Sequence, residues 1–360
     1  MNTIETFFKG KSVLITGGAG FVGSNLSHHL VKHGARVSVL DNFHPSFGSN
    51  RANFKGINDL VKIYEGDVAD KNTTLLNRLV HEADIVIHAA AQCSHVDSMI
   101  DPWLDLNFNC EGTLRVLEAA KKAKTEGKAV SIVYVGTRAM LGAPLTLPAD
   151  ERTLPNPVDI YGVNKLAAEL YGSVYARVYQ VPFVSLRMTN SYGPRHQMKH
   201  GRYGILNWFI SLAMQKKTIK VFGTGEQLRD YLYIDDAVEC ILRAAIYSST
   251  AVRGESKSSG DVRYYKPAHL AGDNIPFAVY NMGSGKGLKF VDCAKMVVDV
   301  AGGQLEMVEW PADRKAIETG DYVSDGVAAF RGLGWQSATS FEEGLKKTHA
   351  FYLNSLNDYL

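Results

Sequence analysis

A chain of 360 residues with 46% hydrophobic content can bury a large core, and 39 basic against 37 acidic residues leave a net charge of only +2. That balance provides no broad electrostatic footprint for nucleic acid or a membrane surface and suits a small anionic ligand in a local basic pocket. The four cysteines, Cys93, Cys110, Cys240 and Cys293, have no C-x-x-C spacing, which points to reduced thiols rather than a disulfide framework or a zinc site.

In chain order, the opening "MNTIETFFKGKSVLIT" lacks a basic segment followed by an apolar core. No later apolar run reaches the ~18 residues of a membrane span, so a cytoplasmic protein is expected. Short apolar runs then alternate with segments of helical period. "SVLIT", "RVSVLD", "KIYEGD", "DIVIHAAA", "VSIVYVGT" and "FVSLRM" read as strands buried on both faces. Between them, "FVGSNLSHHLVKHG", "NTTLLNRLVHE", "NFNCEGTLRVLEAAKKA" and "YGVNKLAAELYGSVYARVY" read as crossover helices. The alternation predicts a doubly wound parallel α/β sheet, a Rossmann domain, over residues 1–190. Beyond it the rhythm loosens into a smaller substrate-binding lobe over 191–360, with some segments returning to the first domain. Residues 248–274 are polar, Gly/Ser-rich and aperiodic and read as an exposed loop.

Two constellations carry chemistry. In "VLITGGAGFVGSNL" the glycines Gly17, Gly20 and Gly23 follow a strand and open a helix. Backbone N–H groups of such a turn, including those of Phe21 and Val22, can face a pyrophosphate, and the last glycine permits close packing of helix on sheet. The second strand ends in Asp41, whose carboxylate suits the adenosine ribose hydroxyls and disfavours a 2′-phosphate, hence NAD rather than NADP. Neighbouring Asn42 extends that site. Asp67, with Val68, ends the third strand and either meets the adenine edge or caps the next segment. The other constellation is "YGVNK": Tyr161 and Lys165 stand about one helical turn apart, so phenol and ammonium share a face. A cation there favours phenolate and prepares the tyrosine as a base. Thr137, at the end of a parallel strand, projects its hydroxyl into the same crevice. His196 and His200 fall in a loop with no third metal ligand, so no metal site is expected.

Together, T-G-G-x-G-F-V-G, the N-x-x-G-T of Asn109 to Thr113, the strand-end Thr137 and Y-x-x-x-K resemble the extended short-chain dehydrogenase/reductase family, and more narrowly its nucleotide-sugar epimerase and dehydratase branch. The resemblance implies a tyrosine acid/base (Tyr161), a lysine on the nicotinamide ribose (Lys165) and a hydroxyl on the reacting group (Thr137). Asn109 and the strand-end Ala89, Ala90 and Ala91 would join the NAD site. Dehydratases of this branch carry an acidic pair just after the Ser/Thr, and the related decarboxylases a glutamate; here Arg138 and Ala139 stand there, with Arg138 facing substrate. Epimerisation needs no such carboxylate, so a C4 epimerase of a UDP-hexose is expected, ahead of a dehydratase, a decarboxylase, a ketoreductase or a non-catalytic NAD-binding scaffold. For the nucleoside diphosphate sugar, the resemblance places Asn190 of "RMTNSYGPRH" and Asn207 near the diphosphate and sugar. It sets Val221 and Phe222 at the base, Arg229 and Arg314 on phosphate or ribose, and Tyr322 where sugar size is limited. It also implies a homodimer through the helices at about 107–124 and 160–178, with Leu166, Leu170 and Val174 in the interface.

Overall fold

The computed structural model describes residues 4–252 and 275–360. Twelve strands run in chain order among those residues: β1 Ser12–Thr16, β2 Arg36–Asp41, β3 Val61–Glu65, β4 Ile85–His88, β5 Ser131–Thr137, β6 Phe183–Met188, β7 Asn190–Tyr192, β8 Thr218–Phe222, β9 Leu228–Tyr233, β10 Phe277–Met282, β11 Gly287–Lys289 and β12 Gln304–Val308. Seven form one sheet in the order β10-β6-β5-β4-β1-β2-β3, every pair parallel. The order runs outward from β1 through β2 and β3 on one side, and from β4 through β5 and β6 on the other. That reversal opens a crevice beyond the carboxyl ends of β1 and β4, the place where open α/β sheets bind ligands.

Helices cover both faces. They are α1 Ile4–Phe8, α2 Phe21–Lys32, α3 Thr74–Glu82, α4 His95–Ile100, α5 Pro102–Leu106, α6 Gly112–Thr125, α7 Ile160–Tyr179, α8 Ile205–Met214 and α9 Ile234–Val252, followed by further helices toward the C-terminus. Successive strand residues point to opposite faces, so a fully buried strand must be apolar at every position. In β1, Val13 and Ile15 pack with Leu26 and Leu30 of α2 and Ile241 of α9. Leu14, between them, joins Leu76 of α3, Val116 of α6 and Ala168 of α7 on the other side.

The expected strands and crossover helices are present, with three differences. In strand β3 only Val61 is buried and the other four residues are half-buried or exposed, because it is the sheet edge and lacks a further neighbour. The seventh strand, β10, arrives from beyond residue 190 and is buried throughout beside β6. Finally, α9 continues to Val252, so residues 248–252 are helical where a loop was expected; residues 253–274 of that stretch lie outside the described residues. The remaining strands form two small sheets, β11-β9-β7 and β12-β8.

Candidate active site

The crevice is lined by the turn after β1, the ends of β2 to β6 and the segment leading into α8. Gly17 has φ +69°, and a Cβ built there would lie 2.6 Å from the backbone of Ala90. At Gly23 a Cβ would stand 2.4 Å from the Gly17 carbonyl oxygen, which lets α2 press against the turn. Gly20 differs: its Cβ would make an ordinary 3.4 Å contact, so protein packing alone does not demand glycine. Gly20 is the N-cap of α2 and provides no side-chain cap, and Phe21, Val22 and Gly23 line the crevice beside it. An uncapped helix N-terminus facing a cleft is the arrangement that accepts a pyrophosphate.

At the far end, Asp41 is buried and accepts hydrogen bonds from Ala19 N (2.9 Å), Phe43 N (2.9 Å) and Ser49 Oγ (2.8 Å). Burial nonetheless raises its carboxyl above the usual range. Oδ1 takes two of these bonds and Oδ2 only one, so Oδ2 retains acceptor capacity and a ribose hydroxyl fits there. Asp67 lines the crevice, and its Oδ1 accepts Ala69 N at 2.7 Å while Oδ2 accepts Asn42 Nδ2 at 3.0 Å, so it holds the start of the next segment. Val68 and Ala89 to Ala91 complete this wall. These residues fit a dinucleotide. Asn109 lies behind the wall, donating to the Gln92 carbonyl at 3.0 Å.

Beneath the wall, His88 at the end of β4 is fully enclosed between Thr16 Oγ1 (2.7 Å) and Thr113 Oγ1 (3.0 Å). Burial, with the Lys165 charge nearby, lowers its imidazole to about 3.

Tyr161 is positioned by contacts on every side of the α7 N-terminus. Asp159 caps the helix through Gly162 N at 2.7 Å. Gly162 lets that turn approach Ala139, where a Cβ would be 2.6 Å from the carbonyl oxygen. Further along, Glu169 accepts Arg187 Nη2 of β6 at 2.7 Å and Ser185 Oγ at 2.6 Å, all buried. Tyr161 and Thr137 line the crevice together; burial pushes the phenol well above the usual tyrosine range, and the Thr137 side chain opposes the rise. Lys165 is buried as well, donating to the Val135 carbonyl at 2.9 Å with its ammonium 4.2 Å from the Tyr134 ring centroid. Burial lowers it to about 8. Both shifts have one cause, because burial disfavours the charged form of either group.

Three residues beside Tyr161 carry more weight than their sequence context indicates. His95 lines the crevice with its ring edge-on to Tyr161 at 5.2 Å, and its Nδ1 lies 2.5 Å from Asp159 Oδ2. Cys93 lies in the same wall, and its thiol donates to the Ala91 carbonyl at 3.8 Å. The capping role of Asp159 was readable from an acid just before "IYGVNK"; its contact with His95, 64 residues away, was not.

Of the expected substrate residues, Arg138 and Asn190 line the crevice, and Asn190 Oδ1 is a buried acceptor with no hydrogen-bond partner. The others stand outside that lining. Asn207 holds Gly193 through its N–H (3.2 Å) and carbonyl (2.8 Å). Val221 is fully buried in the core, and Phe222 packs on Trp310 with ring centroids 5.4 Å apart. Arg229 is ion-paired with Glu318 and donates to the Gly320 carbonyl at 2.6 Å. Arg314 lies on the surface, 3.9 Å from Asp313, and Tyr322 is buried beneath the Arg138 guanidinium. Among the described residues no cluster of three or more His, Cys, Asp or Glu side chains is arranged to hold a metal ion, and no helix is long and apolar enough to cross a membrane.

Comparison with known proteins agrees with this geometry. The model of the NAD-dependent epimerase/dehydratase family matches residues 13–256. The chain is 28% identical over 342 residues to a UDP-glucose 4-epimerase of Mycolicibacterium smegmatis, covering 95% of this chain and 98% of that protein. It is 27% identical over 365 residues to the dTDP-D-glucose 4,6-dehydratase of Homo sapiens, covering 97% and 92%. The structure of the UDP-glucose 4-epimerase of Thermotoga maritima, solved with UDP-glucose, superposes with a TM-score of 0.78 at 28% identity, covering 96% of this chain and 99% of that one.

Proposed function

Because the chain belongs to the NAD-dependent epimerase/dehydratase family, an enzyme family acting on nucleotide sugars with NAD as cofactor, we propose that it is an epimerase inverting C4 of the hexose moiety of a UDP-sugar. The observation that carries this choice is the composition of the crevice wall. Its only carboxylates among the described residues are Asp41 and Asp67, both at the far end, while Arg138 and Ala139 follow Thr137. Elimination across C5 and C6 needs an acid and a base beyond the tyrosine; inversion through a 4-keto sugar does not. Relatives and neighbours that act on or bind UDP-sugars support the choice of UDP.

Bound NAD supplies a reversible acceptor for the C4 hydrogen. Tyr161 takes the proton of the C4 hydroxyl and later returns it, Thr137 holds that oxygen through its own hydroxyl, and Lys165 favours the tyrosinate while it remains charged. Asp159 and His95 hold the tyrosine ring in place. Asn190 offers its unpaired acceptor to the sugar or diphosphate, and Arg229 takes the diphosphate by exchanging Glu318 for phosphate. The enzyme is a homodimer: Leu170 and Val174 of α7 are each 41% exposed, and Ile100 and Trp103 beside α7 are also exposed. Leu166 is half-buried.

The test is NMR of products from a panel of nucleotide sugars in D2O. C4 inversion without deuterium in the sugar is expected, with Tyr161→Phe retaining NAD but losing about 10²–10⁴-fold in turnover. A 6-deoxy-4-keto product, or a Tyr161→Phe variant turning over normally, refutes the reading.

A further inference from the structure

Three arginines are almost completely buried, and two of them have a carboxylate partner: Arg187 pairs with Glu169 and Arg229 with Glu318. Arg138 is the exception among the described residues. It is 7% exposed, lines the crevice, and donates Nη1 to Thr319 Oγ1 at 2.8 Å, with the guanidinium 5.2 Å from the Tyr322 ring centroid. A hydroxyl and an aromatic face orient a guanidinium without neutralising it. A buried cation lacking a counter-ion is unfavourable unless a ligand brings the anion. Burial and the charge of Arg229 lower Arg138 to about 10; Glu318 opposes that shift from a distance, but its carboxylate is paired with Arg229 and makes no ion pair with Arg138.

The position of Arg138 narrows the kind of anion. It follows Thr137, which lines the crevice with Tyr161, so it adjoins the point where the C4 hydroxyl must sit. In a pyranose ring the diphosphate is on C1, directly across the ring from C4, whereas the C6 substituent is carried by C5, next to C4. A residue at the C4 edge meets C6 before it meets phosphate. Arg138 can take a planar carboxylate with two parallel N–H bonds, because Thr319 occupies one of its five donors. The crevice wall offers C6 no carboxylate that would repel such a group.

We propose that Arg138 recognises a carboxylate at C6 of the sugar, so that the substrates are nucleoside diphosphate hexuronic acids rather than neutral hexoses. This rests on the reading of the protein as a nucleotide-sugar epimerase and names the substrate class of the same site. The test compares UDP-glucuronate with UDP-glucose, which share every group except the C6 carboxylate, and UDP alone, which lacks the sugar. The wild-type enzyme is expected to show at least a 100-fold higher kcat/KM for UDP-glucuronate. Arg138→Gln should reduce that preference at least 30-fold while UDP affinity changes less than threefold, and Arg138→Lys should retain part of the preference. Equal or better use of UDP-glucose by wild type overturns the proposal and leaves the epimerase reading standing. Equal weakening of UDP, UDP-glucose and UDP-glucuronate by Arg138→Gln also overturns it and assigns Arg138 to the diphosphate. If neither sugar is epimerised, competition binding decides the carboxylate question by itself: tighter UDP-glucuronate in wild type, lost in Arg138→Gln, supports the proposal even as the reaction assignment fails.

Discussion

Acidification is expected to destabilise this protein, and one enclosed side chain, His88, contributes about 2 kcal/mol of the loss between pH 7.5 and pH 5. Thr113 Oγ1 donates to the Asn109 carbonyl at 2.7 Å, so toward the imidazole it accepts, and Nε2 carries the hydrogen. Nδ1 then accepts from Thr16 Oγ1. Protonation would place a hydrogen on Nδ1 facing the Thr16 hydroxyl and force that hydroxyl to turn away. Burial opposes the added charge, which is why the imidazole is lowered from 6.5 to about 3. The folded state therefore binds fewer protons than the unfolded chain between those values: the stability is complete above 6.5 and drains away as pH falls toward 3. At pH 5 the unfolded histidine is protonated about thirtyfold over neutral while the buried one is not, giving RT ln 30, about 2 kcal/mol. The result holds for any folded value below about 4. Urea unfolding of wild type and His88→Gln at both pH values isolates the effect, since all other groups cancel in the comparison. Wild type should lose about 2 kcal/mol more than the variant; equal losses would mean that the enclosed ring accepts a proton and that the reasoning is wrong.

The glycines of the turn should separate stability from cofactor binding. Gly23→Ala drives a Cβ to 2.4 Å from a backbone oxygen and is expected to cost about 1–3 kcal/mol in urea unfolding, whereas Gly20→Ala should cost less than about 1 kcal/mol yet lose NAD on purification. For the diphosphate, calorimetry with UDP should find binding weakened by about 2 kcal/mol in Arg229→Ala and tightened by up to about 1 kcal/mol in Glu318→Gln, because Glu318 competes for the guanidinium. If both variants bind UDP like wild type, Arg229 is purely structural. Light scattering should give a dimer mass for wild type and a monomer mass for the double variant Leu170→Glu, Val174→Glu; a wild-type monomer at micromolar concentration removes the dimer.

Features whose geometry is local were legible in the chain. The alternation of apolar runs and helical periods specified a parallel sheet because strands buried on both faces must be apolar at every residue. The spacing of Gly17, Gly20 and Gly23 specified a tight strand–helix turn, and that of Tyr161 and Lys165 one helical turn, since both are set by backbone geometry over a few residues. Pairings between distant residues were not legible. Periodicity does not say that β10 takes the edge beside β6, that His95 finds Asp159, or that His88 is closed in by threonines 72 and 25 residues away. Nor does it say that Glu318, 89 residues on from Arg229, neutralises that arginine while Arg138 faces the crevice without a carboxylate. A side chain's charge and hydrogen-bonding capacity are written in its identity. Whether they are already satisfied, or held open for a ligand, depends on which segments the folded sheet brings together.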